Sequence, residues 1–176
     1  MAQSYLGEIK NKPICAYGAI STPQAAAVDL TKGNLVYQDA ALGAKVVPTA
    51  SPPAASRIGV IENDSKNATG VLGDKSVEIY KHGAIAVIKL QGNMTIGGKG
   101  KSSTTTAGSG AELADPADSA LNATFSDTEV EAELDAQRDF NKFYLFDYLG
   151  HPDEYLNATK QVTAAIDGEE IVVAFK

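Results

Sequence analysis

Tryptophan is absent from this 176-residue chain, cysteine occurs once and histidine twice. Cys15 alone cannot close an internal disulfide, which fits assembly in a reducing compartment. So few thiols and imidazoles leave little material for a metal centre or a nucleophile–base pair, so no metal site, no cofactor and no enzymatic activity is expected. Positive charge is also scarce: 15 Lys and Arg face 22 Asp and Glu, a net charge of −7. Wrapping nucleic acid or coating an anionic membrane needs clustered positive charge, so neither partner is expected. No apolar run approaches the roughly 20 residues of a membrane-spanning helix. The opening stretch, residues 1–8, has neither the basic nor the apolar region of a secretory signal, so no signal peptide is expected.

What the chain does hold is 44% hydrophobic and 21% charged residues, enough to bury one core in a single domain. Residues 1–20 contain Pro13 and no sustained helical period, so an extended N-terminal arm is expected there, with the domain proper over 21–176. Short strands follow, separated by turn residues: Asn34–Gln38, Ala44–Pro48, Arg57–Ile61, Lys75–Tyr80 and Ala84–Leu90. His82-Gly83 reads as the tight reversal of a hairpin joining the last two. Residues 97–110 are dominated by Gly, Ser and Thr and are expected to be mobile. Between Glu112 and Asp139 nine acids face one base, Arg138. Ser126-Asp-Thr-Glu129 within this stretch has capping-box spacing, and Val130 and Leu134 stand four apart, so a short helix over about 127–139 is predicted. The segment Phe140–Leu149, with the aromatic residues Phe140, Phe143, Tyr144, Phe146 and Tyr148, is expected to form a strand covered on both faces. A shift of 85 residues lays Lys75–Gly83 on Lys160–Gly168, and Ile85, Val87 and Ile88 on Glu170, Val172 and Val173, a weak internal repeat. The same shift lays Arg57–Glu62 on Lys142–Asp147.

Motifs for chemistry are incomplete. A phosphate loop read back from Gly100-Lys101 would need glycine at Thr95, and one read back from Gly98-Lys99 would need it at Asn93. His82 and His151 each sit beside a turn former, and the acids from Asp115 to Asp135 lack calcium-loop spacing. They read as a solvated face, with Lys99 and Lys101 of a neighbouring subunit as a possible counterpart. Four Asn-x-Thr triplets, beginning at Asn67, Asn93, Asn122 and Asn157, read as polar turns.

Lys32-Gly-Asn-Leu-Val36, then Arg57-Ile-Gly-Val-Ile-Glu-Asn-Asp64, then Val77-x-Ile-Tyr-Lys-His-Gly83-x-Ile-Ala-Val87 resemble the capsid decoration, or cement, proteins of tailed phages, in particular those of the lambda head-decoration type. In that family a Gly-x-Leu-Val strand leads to a Gly-Val/Ile strand, then to a strand ending in glycine before an apolar return. The resemblance covers about residues 28–90 and, more faintly, 142–176, and the chain departs from it by the insertion at about 97–141. It implies a mainly β fold: a small barrel or "tulip" with an N-terminal arm, and here an insertion carrying one short helix. It also implies a homotrimer on the outer surface of the virion capsid, assembled in the host cytoplasm, whose arm grips the major capsid protein and tightens the expanded shell. Tyr5, Leu6, Ile9 and Ile14 are then the candidate capsid anchors, and Phe143, Tyr144, Phe146 and Tyr148 the candidate subunit contacts. A carbohydrate- or receptor-binding virion module, using 143–148 or the insertion, is the second reading, and a small hydrolase a distant third.

Overall fold

The computed structural model describes residues 4–11, 19–23, 30–39, 45–48, 54–55, 58–62, 76–80, 83–116, 126–152 and 164–176. In chain order its elements are β1 (Ile9–Asn11), β2 (Ala19–Pro23), β3 (Leu35–Asp39), β4 (Lys45–Pro48), β5 (Ile58–Ile61), β6 (Ser76–Tyr80) and β7 (Ile85–Gln91). There follow β8 (Met94–Thr95), β9 (Lys99–Ser102), β10 (Gly110–Glu112), α1 (Asp127–Phe143), β11 (Phe146–Gly150), β12 (Ala164–Ala165) and β13 (Glu170–Phe175). The fold is mainly β, a small barrel domain with one helix among the described residues. No helix in them is long and apolar enough to cross a membrane.

Five strands close the barrel in the order β7-β10-β9-β11-β13, with β13 returning to pair with β7. Alternation puts one residue in two inside: Ala86, Ile88 and Leu90 from β7, Phe146 and Tyr148 from β11, and Ile171, Val173 and Phe175 from β13 are all buried in one cluster. A five-stranded barrel is narrow, so its large side chains need small partners across the interior. Here the Phe146 ring fills the space that side chains at Gly100 and Gly110 would take. A Cβ on Gly100 would lie 2.0 Å from Phe146 Cε2, and one on Gly110 2.8 Å from Phe146 Cζ. Phe175 meets the same ring edge-on, with centroids 6.2 Å apart.

The low-complexity stretch is therefore part of the barrel wall and not a mobile excursion. Its glycines make room for Phe146, while Ser102, Ser103 and Ser109 are buried. Ser103 Oγ accepts from Thr105 N (3.1 Å) and Thr106 N (2.9 Å), so the hydroxyl closes the turn between β9 and β10. The expected insertion at 97–141 contributes two of the five staves, so the domain does not close without it.

The remaining long strands form a second antiparallel sheet, β2-β6-β5-β3-β4, whose edge strands β2 and β4 approach each other. The expected strands at 34–38, 44–48, 57–61, 75–80 and 84–90 all occur within a residue of their predicted bounds. The expected hairpin between the last two does not. β6 pairs with β2 and β5, whereas β7 lies in the barrel between β13 on one edge and β1 and β10 on the other. Gly83, at φ 75°, is a link between sheets, and its N–H goes to the Phe175 carbonyl (3.1 Å).

The two sheets share one core, because Leu35, Ile58, Val60 and Tyr80 join the barrel cluster. They are clamped together where two left-handed glycines meet back to back. Gly7 (φ 75°) donates to Val87 O (2.9 Å) in the barrel, and Gly33 (φ 80°) donates to Ile61 O (2.8 Å) in the other sheet. A Cβ on Gly7 would stand 2.8 Å from Gly33 N, and one on Gly33 2.9 Å from Gly7 N.

The internal repeat survives in part. β7 and β13 pair antiparallel with Val87 opposite Val172, the residues that the 85-residue shift superposes. Gly83 N to Phe175 O and Phe175 N to Ala84 O have counterparts in Gly168 N to Leu90 O and Leu90 N to Glu169 O. The pair is thus locally two-fold, with left-handed glycines at Gly83 and Gly168 leading into its strands. The other matched stretch fails, since Arg57–Glu62 meets β5 while residues 142–147 run from the end of α1 into β11.

Gly100→Ala is expected to cost about 2–3 kcal/mol in urea unfolding, because the added methyl overlaps the Phe146 ring. In a Phe146→Leu background the same Gly100→Ala change should cost less than half as much. Equal costs in both backgrounds would mean that ring and glycine do not compete for the same space. Gly33→Ala should lose about 2 kcal/mol or more, combining backbone strain with the clash against Gly7, whereas Gly92→Ala, at φ 82° in open space, should lose only about 1 kcal/mol.

Candidate functional site

Helix α1 begins at its predicted cap. Ser126 Oγ accepts from Glu129 N (3.3 Å), and the Glu129 carboxylate accepts from Ser126 N (3.0 Å), which holds that carboxyl below its usual range. The helix then runs four residues beyond the predicted end, to Phe143. The expected strand over 140–149 is accordingly shortened to β11, because Phe140 and Tyr144, one turn apart, serve the helix end and not a sheet.

That end is a compact polar and aromatic joint. Phe140 is the buried residue of the helix, and its ring lies 5.6 Å from that of Tyr144. The Lys99 ammonium, from β9, stands 5.0 Å from the Phe140 centroid and 5.9 Å from that of Tyr144. Its charge is held by Asp115 at 2.9 Å, which raises the lysine pKa. Lys176 Nζ stands 5.4 Å from the same Tyr144 centroid and pairs with Asp147 at 2.5 Å. Tyr144 also donates its hydroxyl proton to Asp147. Two ammonium groups thus approach one tyrosine ring, each neutralised by a carboxylate. Burial opposes charge on Asp147, but the hydrogen bonds from Lys176 and Tyr144 outweigh it and hold the carboxyl below its ordinary range. Burial, helped by the bond to Asp147, raises the Tyr144 pKa, and the bond to Asp147 raises that of Lys176. Backbone bonds complete the joint: Leu145 N to Gly100 O (2.8 Å) and Lys176 N to Leu145 O (3.0 Å).

Beyond the joint the helix leaves the barrel. Residues 126–139 are exposed apart from the half-buried Glu133, and Val130 and Leu134 are 41% and 50% exposed.

The four aromatic residues expected at a subunit contact divide. Phe143 and Tyr144 are half-buried at the helix end, while Phe146 (0% exposed) and Tyr148 (1%) point into the barrel and can touch no neighbour. Alternation in β11 decides this, since both fall on the inward face. The expected arm is likewise used within the molecule. β1 pairs with β7, Ile9 is buried in the core, and Ser4 Oγ (2.6 Å) and Tyr5 N (2.7 Å) donate to the Glu170 carboxylate. Tyr5 and Leu6 remain half-exposed, beside an open depression of about 370 Å³ whose lining includes Glu8, Lys32 and Glu62. Ile14 lies outside the described residues. Removing residues 1–14 would strip a strand and a core side chain, so such a deletion tests folding before it tests contact.

The glycine-lysine stretch 92–101 forms β8, a turn and β9, with no helix after it to receive a phosphate. Lys99, one candidate counterpart for the acids of a neighbour, meets Asp115 of its own chain. His151 is buried, and His82 lies outside the described residues. No group of three or more His, Cys, Asp or Glu side chains converges among the described residues. The joint itself escaped sequence reading. Its one legible trace was the spacing of Phe140 and Tyr144, which continues the helical pattern of Val130 and Leu134. Set against known proteins, the chain matches no family model, no curated protein and no solved structure.

Because the Asp147 carboxyl titrates lower in the folded protein, its contribution to stability is fully present above the ordinary carboxylate pKa and disappears as pH falls through the lowered folded value. Asp147→Asn should therefore flatten the acid limb of stability against pH and cost no more than about 1 kcal/mol at neutral pH, as the pair is partly solvated. Urea midpoints between pH 2 and 7 check this, and an unchanged acid limb would remove Asp147 from the account.

Proposed function

We propose that this chain is a non-enzymatic structural protein of a phage virion, a capsid decoration protein that binds the outer surface of the expanded shell as a trimer and stabilises it. The observation that carries the reading is where the family-like residues fall in the fold. Gly33 makes the inter-sheet clamp, Leu35 and Val36 are buried at the start of β3, and all four residues of β5 are buried. Gly83 takes the left-handed turn into β7. The likeness thus rests on residues that build the frame, and the frame is the small β-barrel that the family would lead one to expect.

A small barrel with a second sheet locked onto its core suits a protein that works by occupancy. Each copy contributes a modest contact to the major capsid protein, and repetition at every symmetric position multiplies the effect over the shell. In this reading the exposed parts of Tyr5 and Leu6 are available for contact, while Ile9 anchors the N-terminal segment to the barrel and keeps it ordered before binding. A preordered segment loses less entropy on docking than a free arm. The alternative of a sugar-stacking platform loses its best residues, because Phe146 and Tyr148 are enclosed.

Purified protein mixed with expanded and with unexpanded capsids, then sedimented, tests the proposal. Saturable co-sedimentation with expanded shells, and a rise in the temperature at which those shells rupture, is the expected result. Failure to bind either shell would overturn it, and specific glycan binding in its place would favour the receptor-binding reading.

A further inference from the structure

Helix α1 is longer than its packing warrants. Of its 17 residues Phe140 alone is buried, and an isolated helix of this length is marginal in water. Val130 and Leu134 sit one turn apart on a face about 100° around the axis from Phe140, so the contact with the barrel does not account for them. Helical geometry flanks this apolar pair with Glu133 on one side and with Asp127, Glu131 and Arg138 on the other, and Arg138 is already paired with Asp135 at 3.0 Å. Along the helix six acids oppose two bases. The result is a short, exposed apolar stripe whose borders are mainly acidic.

A second copy of this chain is a poor occupant for the stripe. Two such helices would bring like charges together, and the whole chain carries −7. Among the other large exposed apolar residues described, Ile166 suits the stripe no better, being bracketed by the hydrogen-bonded carboxylates of Asp167 and Glu169. Lys99 and Lys176 are already paired with Asp115 and Asp147.

We infer that α1 is a docking helix that lays Val130 and Leu134 into an apolar groove with basic borders on the shell protein to which the chain binds. The inference rests on the proposed function and adds the chemistry of the partner. Helix-in-groove recognition uses such i, i+4 anchors, and opposite charge at the borders sets orientation and speeds encounter. The joint at Phe140, Tyr144, Lys99 and Lys176 fixes the direction in which the helix leaves the barrel, so the stripe is presented before contact.

The test compares full-length wild type with Val130→Gln/Leu134→Gln and with Glu131→Lys/Glu133→Lys, each measured by co-sedimentation with expanded capsids at low and high salt. Both variants should fold as wild type by circular dichroism and thermal melting, since the altered side chains lie outside the buried core. The apolar pair should lose affinity roughly tenfold or more. The charge variant should bind more weakly at low salt, and the weakening of wild-type binding by added salt should be largely absent in it. Wild-type affinity in both variants, with the wild type binding normally, would overturn the docking helix and leave the decoration reading standing. Failure of the wild type itself to bind would overturn both. A change in the mass of the free protein in either variant, with shell binding intact, would assign the stripe to self-association and likewise overturn the inference.

Discussion

One aromatic ring determines how this barrel can close. Five strands enclose little volume, and Phe146 fills so much of it that the facing positions on β9 and β10 can carry no side chain at all. Gly100 and Gly110 are therefore packing residues in ordinary extended strands, not flexible ones. The rest of the domain is arranged around that fit. β11 carries the ring at its first residue, directly after the helix joint, and β13 closes the circle by pairing with both β11 and β7. The second sheet shares the same core and is locked on by the contact between Gly7 and Gly33.

The same economy explains why the N-terminal segment and the C-terminal lysine matter to distant parts of the fold. Ser4 and Tyr5 reach Glu170 at the start of β13, and Lys176, just after β13, reaches Asp147 and Tyr144. Both ends of β13 are thereby tied, one to the N-terminal segment and one to the helix end. Such cross-ties pass force on a projecting element into the barrel and not into a loose hinge. The exposed helix is the counterpart of this rigidity, a slender feature rooted in a firm base.

Much of the local structure was legible in the chain. Five strands lay where alternation and turn residues placed them, and the capping box at Ser126 and Glu129 marked the start of the helix to the residue. Mainly β architecture followed from these signals. The errors share one cause. Gly83 looks like a hairpin turn because it separates two strands of matching pattern, yet either strand could pair with any other edge of suitable polarity. The Gly-Ser-Thr stretch looks mobile because its composition lacks apolar residues to bury. Its burial comes from Phe146, a residue more than thirty positions away, and from a serine hydroxyl that closes the turn.

Local sequence, then, determined which segments are extended, where the helix begins and which residues are apolar enough to be inside, because those properties depend on neighbours a few positions apart. Tertiary structure alone decided which strands pair, that glycine at 100 and 110 is the complement of a ring, and that Phe146 and Tyr148 face inward while Val130 and Leu134 face water. Those outcomes depend on contacts between residues far apart along the chain, where many partners satisfy the local pattern and only the closed barrel selects among them.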